Sequence, residues 1–410
     1  IFAMPFFTFT NPEICKALLL YRYNTLEPSR NEARTLSHPK GVKFPWRTIA
    51  GEECSAYFPA GSAQYHINAD IAYMVNRYVQ VTGDYDFLVK HGAEILIETA
   101  RVWAHTGCFV EARGGKFCIN GVTGPDEYTA IVNNNCYTNL MARENLYYAY
   151  HAVEWMKENA PHEYTRLAER LGLEAHEQED WKRAADNMFI PYDEATGIYP
   201  QDDSFLYKAV WDFENTPKEK YPLLLHYHPL VIYRYQVCKQ ADLVLALFLL
   251  SEHFSLSEKK RNYDFYEPIT THDSSLSSCI FSIVASEIGY TQKAYEYFMS
   301  TARMDLDDHK GNTRNGVHTA NMGGAWMCIV NGFAGMRISN GRLSFNPYLP
   351  QKWQGYAFNV TFNNRVIRVR VEEETTTYEL IRGDEITILH CGQERLLKSS
   401  LVEQTRKIEE

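Results

Sequence analysis

In the stretch GVTGPDEYTAIVNNN, residues 121–135, two adjacent carboxyl groups, Asp126 and Glu127, follow a Gly-Pro pair and precede Tyr128. A carboxyl group held rigidly behind such a turn can hand a proton to a leaving group. To do so near neutrality it must stay protonated, which takes partial burial or a nearby anion. Asp126 would supply the anion and Tyr128 a less polar wall. Acid pairs in turns are nevertheless mostly solvated and inert, so this one carries meaning only alongside other unusual segments.

Three more segments have compositions that a core does not need. Residues 41–70, GVKFPWRTIAGEECSAYFPAGSAQYHINAD, place Trp46, Glu52 and Glu53 among Gly and Pro in a long irregular run. Such a run is either a solvated connection or the wall of a site. In VCKQADLVL, Lys239 and Gln240 stand at the start of an apolar helix and offer donors and an acceptor that suit sugar hydroxyls. A plain polar helix start is the simpler account. THDSSLSS and NGVHTANMGG each open a helical run, where unpaired N–H groups and the positive dipole end attract anions. Ser274, Ser275 and His318 are thus candidates to hold a phosphate, against ordinary N-capping. His226 and His228 imitate a metal pair, but no third ligand accompanies them, so no metal site is expected.

Helices must position these groups. NPEICKALLLYRYNTL, INADIAYMVNRYVQVTGD, FLVKHGAEILIETARVWAHTG and TNLMARENLYYAYHAVEWMKENA carry apolar residues at helical spacing, as do four later runs ending with HTANMGGAWMCIVNGFAG. Few credible strands lie between them, which predicts a mainly α domain over residues 1–336. Beyond it, Phe358, Val360 and Phe362 alternate with polar or small residues, and Ile367, Val369 and Val371 do the same. That period of two predicts a small antiparallel β domain at 337–395, followed by a charged tail, 396–410, expected to fray.

The net charge of −10 argues against nucleic acid or an anionic membrane as partner, and no run is apolar enough to span a bilayer. Nine scattered cysteines without a Cys-x-x-Cys pair read as mostly buried, reduced thiols in a cytoplasmic protein. The 28 Tyr, 21 Phe and 7 Trp suit a large helical body, and also the walls of a carbohydrate cleft. The opening IFAMPFFTFT does not start with methionine and begins inside an apolar run, as a piece of a longer protein would.

Taken in order, IFAMPFF, KFPWRTIAGEE, HINADIAY, GPDEY with NNNCYTN, CKQADLVL, HDSSLSSCIFSIVAS and HTANMGGAWMCIVNGFAGMR resemble glycoside hydrolase family 65. These are the inverting disaccharide phosphorylases acting on maltose, kojibiose, nigerose or trehalose. The resemblance implies an (α/α)6 barrel with the site built by loops at one end, here without the family's N-terminal β-sandwich, its linker and the first part of the barrel. A Trp-Asp that helps grip glucose would lie upstream of this chain. By motif, Glu127 matches the general acid, Lys239 and Gln240 match residues holding the glucosyl unit, and Ser274, Ser275 and His318 match the phosphate site. Trp46, Glu52 and Glu53 fall in the substrate loop. Its Ser-Ala-Tyr and Ala-Gln-Tyr-His-Ile-Asn forms look more like the family's trehalose-cleaving branch than its more acidic maltose branch. Asp126 would then hold the loop, and Asn133 to Asn135 support it where the helix begins.

The implied reaction is phosphorolysis. Glu127 protonates the glycosidic oxygen while phosphate attacks the anomeric carbon from the opposite face, giving β-glucose 1-phosphate and glucose. An inverting hydrolase needs a second carboxylate to activate water; here an anion that is already nucleophilic replaces that base. No metal or organic cofactor is implied. The partners are the disaccharide and inorganic phosphate, with a homodimer expected from the family. The rival readings are phosphorolysis of maltose, kojibiose or nigerose, an inverting α-glucoside hydrolase with Asp273 as base, and a carbohydrate-binding protein on a retired enzyme frame.

Overall fold

The computed structural model describes residues 1–339 and 341–407. Among them, six helices form an inner ring, each packed on the next: Met4–Thr10, His66–Thr82, Cys136–Asn159, Asp242–Leu249, Ser277–Ile288 and Thr319–Met327. Met4–Thr10 closes the ring by touching both Thr319–Met327 and His66–Thr82. The inner position is written in the side chains. All eight residues of Asp242–Leu249 are buried, and nearly all of Ser277–Ile288. A helix apolar on every side has to be surrounded.

Two outer helices bury only one side. Pro161–Leu171 buries Leu167 alone, and Thr291–Ala302 buries Ala294, Phe298 and Thr301, the i, i+4, i+7 spacing of one face. Pro12–Asn24 packs outside His66–Thr82, Ala175–Asp186 outside Cys136–Asn159, and Leu256–Tyr266 between Asp242–Leu249 and Ser277–Ile288. His66–Thr82 stops at Gly83, whose φ of 69° lets its N–H return to Val79 O. This is the C-cap that its glycine predicts. No helix among the described residues is long and apolar enough to cross a membrane.

The β domain consists of two four-stranded sheets. One orders Gln393–Leu397, Ile386–His390, Arg342–Phe345 and Arg337–Ser339; the other orders Ser400–Gln404, Thr375–Arg382, Arg365–Glu372 and Gly355–Phe362. Phe358 pairs with Val369 and Val360 with Ile367. Val360, Phe362, Ile367, Val369 and Val371 share one core with Tyr378. Asn363 and Asn364, with φ of 47° and 63°, make the two-residue turn between those strands, as a type I′ hairpin requires. One pair, Ile386–His390 with Arg342–Phe345, runs parallel, so the domain is not wholly antiparallel. Phe9, Val81 and Val330 from the helical domain join this core, which fixes the β domain against the ring.

The charged tail does not fray where it was expected to. Ser400–Gln404 pairs along Thr375–Arg382 as an edge strand, and Thr405 bonds Thr376 and Glu372 O. Backbone pairing, which composition does not report, decided this segment; residues 408–410 lie outside the described residues. Truncation after Ser399 is therefore expected to lower the melting temperature by several degrees, read by circular dichroism. A frayed tail would leave it unchanged.

Candidate active site

The loop bearing Asp126 and Glu127 is closed at its base. Val122 and Val132 exchange backbone hydrogen bonds of 3.0 and 2.8 Å, which makes the residues between them a lasso around Glu127. Thr123 N–H donates to Ala63 O at 2.9 Å, tying the lasso to the 41–70 segment. Ile131 and Asn134 take φ values of 53° and 49°. A β-branched residue rarely accepts that conformation, and here Ile131 N–H is held by Thr123 Oγ1 at 3.0 Å.

Each of the three asparagines pins a different neighbour. Asn133 Oδ1 accepts from Gly121 N–H at 3.1 Å, and Asn134 donates to Asp203 at 2.8 Å. Asn135 Oδ1 caps Cys136–Asn159 through Thr138 N–H at 2.9 Å. Asp126 is fully buried and accepts from Gln201 Nε2 at 2.7 Å, Lys239 N–H at 2.8 Å and Tyr128 N–H at 3.2 Å. It holds the loop from behind. Tyr128, also buried, donates its hydroxyl to Asp273 and accepts from Leu223 N–H at 2.9 Å.

Glu127 lines a cleft of about 670 Å³. Lys239 Nζ donates to its Oε2, and among the described residues Oε1 has no hydrogen-bond partner. Trp46, Lys239, Gln240 and Ser274 line the same cleft, so five of the nine candidates converge. Gln240 Nε2 donates to Pro125 O at 2.7 Å, while its Oε1 is buried with no protein partner among the described residues. Arg22 lines the cleft too, and its Nη1 is likewise buried and unpaired. A buried acceptor and a buried donor without protein partners are what a polar ligand would satisfy.

The other four candidates do not line the cleft. Glu52 is exposed. Glu53 braces its own loop, accepting from Trp46 and Arg47 N–H at 2.8 and 3.3 Å and from the Ser55 hydroxyl at 2.6 Å. Burial opposes its charge, but these donors outweigh burial and hold its carboxyl below the usual range. Ser275 sits in the turn before Ser277–Ile288, beside Ser274 but off the cleft wall. His318 turns onto Asp305, its Nδ1 2.6 Å from Oδ1 and its N–H 2.8 Å from Oδ2. The expected phosphate trio thus contributes one wall residue, Ser274.

A polar floor escaped sequence reasoning. Asp70 lines the cleft with both oxygens engaged, Oδ2 at 2.8 Å from His66 Nδ1 and Oδ1 accepting from the Tyr137 hydroxyl at 2.6 Å. His66 Nε2 lies 3.0 Å from Gln64 Oε1. The available signal was HINAD, which puts His66 and Asp70 four residues apart on one helix face. Asp273, the candidate hydrolytic base, receives Tyr128 and Leu223 N–H and is not among the cleft-lining residues.

Comparison with known proteins bears on this arrangement. The family model described as the glycosyl hydrolase family 65 central catalytic domain matches residues 1–327, and that of the family's C-terminal domain matches 336–397. An α,α-trehalose phosphorylase of Thermoanaerobacter brockii is 54% identical over 398 residues, covering 97% of this chain and 51% of that protein. The α,α-trehalose phosphorylase of Geobacillus stearothermophilus is 55% identical over 397 residues, covering 97% and 52%. Maltose phosphorylase of Bacillus subtilis is 37% identical over 384 residues, covering 93% and 50%. The chain thus spans about half the length of the curated relatives it matches. A solved structure of a candidate kojibiose phosphorylase from the human microbiome superposes with a TM-score of 0.92 at 32% identity, over 100% of this chain and 59% of that one.

His272 shapes the turn that delivers Ser274. It takes a φ of 54°, with Nδ1 2.8 Å from Ser277 Oγ and Nε2 3.1 Å from the Tyr297 hydroxyl. Burial pushes its imidazole down to about 4 from an ordinary 6.5. A base whose folded value is depressed adds stability that is complete above 6.5 and lost as pH falls through 4. The melting temperature should therefore drop between pH 6.5 and 4, and the drop should be shallower in His272→Gln. Equal slopes in a pH series of melts would show that His272 is not responsible.

Proposed function

Because the chain belongs to glycosyl hydrolase family 65, we propose that the protein is an inverting phosphorylase of an α-linked glucose disaccharide, with trehalose as substrate and Glu127 as general acid. Glu127 protonates the glycosidic oxygen as its bond to the anomeric carbon breaks, and the bonding pair leaves with that oxygen. A phosphate oxygen attacks the anomeric carbon from the opposite face, and the products are β-glucose 1-phosphate and glucose. The reaction calls for no cofactor.

One observation carries the reading. Among the described residues two carboxylates line the cleft, and of these only Glu127 keeps an oxygen free of protein donors; Asp70 gives both of its oxygens to His66 and Tyr137. Asp273 is engaged by Tyr128 and Leu223. A hydrolase would need a second carboxylate free to activate water. The cleft offers cations in its place, with Arg22, Arg47 and Lys239 along its wall beside Ser274, a lining that favours an anionic nucleophile. As substrate binds, Lys239 turns from Glu127 to a sugar hydroxyl and leaves the acid free to hold its proton. Gln240 Oε1 and Arg22 Nη1 are the further groups open to sugar or phosphate oxygens.

Trehalose is favoured over the other disaccharides by likeness to two trehalose phosphorylases at 54% and 55% identity, against 37% for a maltose phosphorylase and 36% and 34% for two kojibiose phosphorylases. The full chain should convert trehalose to β-glucose 1-phosphate only when inorganic phosphate is present, with maltose, kojibiose and nigerose turned over more slowly. Glucose release at the same rate without phosphate would sink the phosphorylase reading. Glu127→Gln should lower kcat by about 10²- to 10⁴-fold at an unchanged melting temperature, and near-normal turnover would rule Glu127 out as the acid.

A further inference from the structure

Asp242 lies far from Asp126 in sequence, yet each carboxylate holds a backbone N–H of the other's segment. Asp126 N–H donates to Asp242 Oδ1 at 2.7 Å, and Lys239 N–H donates to Asp126 Oδ1 at 2.8 Å. Asp242 Oδ2 also receives Asn135 Nδ2 at 3.0 Å. Gln240 Nε2 on Pro125 O adds a third tie between the same two segments. The residues they bring face to face are Glu127 and Lys239, whose side chains meet in the cleft.

Helix capping is the ordinary use of an acid at the start of a helix, and it does not account for Asp242. Asp242 opens Asp242–Leu249, but its carboxylate accepts from the acid loop and from Asn135, and that helix has no side-chain cap. Close approach is built in as well. A Cβ on Gly124 would sit 2.1 Å from Asp242 Oδ2 and 2.6 Å from Asn135 Nδ2, so only glycine lets the loop reach this carboxylate. Both acids are buried, and no cation hydrogen-bonds either carboxylate among the described residues. Burial drives both carboxyls above the usual range, Asp126 to about 6, and Asp126 adds to the rise at Asp242. Two buried acids, one of which raises the other, are an expensive way to join two loops. A carboxylate does, however, accept through both oxygens at once, where an amide presents one acceptor and one donor group.

We infer that Asp242 is a positioning residue for proton transfer: by holding Asp126 N–H, while Asp126 holds Lys239 N–H, it sets Glu127 in register with Lys239 at the scissile bond. The inference rests on Glu127 being the general acid. A displacement on the order of 1 Å at a reacting group can cost about 10²-fold in rate, so a register set by two hydrogen bonds carries kinetic weight.

Leaving groups separate this role from general support of the fold. Departure of fluoride from α-glucosyl fluoride needs little help from an acid, whereas a sugar alkoxide needs a proton. The test compares the unaltered full chain with Asp242→Asn and Glu127→Gln, each with inorganic phosphate, on α-glucosyl fluoride and on trehalose, or on whichever of maltose, kojibiose and nigerose the chain cleaves. Asp242→Asn should lose about 10²-fold in kcat on the disaccharide and at least tenfold less on the fluoride, the same bias as Glu127→Gln. Equal losses on both substrates, or no loss on either, would overturn the positioning role. Should Asp242→Asn fail to fold, Asp126→Asn, which keeps an acceptor for Lys239 N–H, is judged by the same ratio. If Glu127→Gln itself shows no bias, the acid assignment fails and takes the inference with it; bias in Glu127→Gln alone overturns the inference and leaves the assignment standing.

Discussion

Irregular backbone at the mouth of a helical ring can stand still only if its buried N–H and C=O groups are satisfied from within. Residues 121–135 meet that demand with side chains as well as with backbone pairs such as Val122 with Val132. Asp126 takes two backbone N–H groups and an amide, Asp242 takes Asp126 N–H and Asn135 Nδ2, and Asn133 and Asn135 take Gly121 and Thr138 N–H. The cost is the burial of two carboxyls that would rather be in water. The return is a Glu127 whose backbone cannot drift, set opposite a lysine from a distant segment.

The rest of the chain serves that constraint. The inner helices Asp242–Leu249 and Ser277–Ile288 are almost wholly buried, and each inner helix packs on the next, which fixes the ends from which the loops leave. Pro161–Leu171 and Thr291–Ala302 cover the ring from outside with one buried side each. The β domain grips the ring through Phe9, Val81 and Val330, and Phe9 lies on Met4–Thr10, the helix that closes it. Stability is concentrated where no chemistry occurs. The polar, partly unpaired groups Gln240 Oε1 and Arg22 Nη1 collect in the cleft.

Much of this was legible in the residues. Helical spacing marked the mainly α domain, and period-two alternation marked Phe358 to Val371 as strands. Glu127, Lys239, Gln240, Trp46 and Ser274 could be picked out because turn formers and polar groups stood where a core has no use for them, and they do share one cleft. Glu53 and His318 were picked out by the same rule and turn elsewhere, onto Ser55 and Asp305. Composition reports that a side chain is polar; it does not report which neighbour will take it. The strand at Ser400–Gln404 was misjudged for a related reason, since an edge strand needs only a partner with free N–H and C=O groups.

By itself, the sequence determined that a mainly helical region is followed by strands, and which carboxylate stands behind a Gly-Pro turn, because these depend on residues close along the chain. Tertiary structure alone decided the register of Glu127 with Lys239, the pairing of Asp126 with Asp242, and the withdrawal of Asp70 and Asp273 into other hydrogen bonds. Asp126 and Asp242 meet across 116 positions. Such contacts arise only when the ring closes and brings distant loops to one end, and no local pattern of residues encodes that distance.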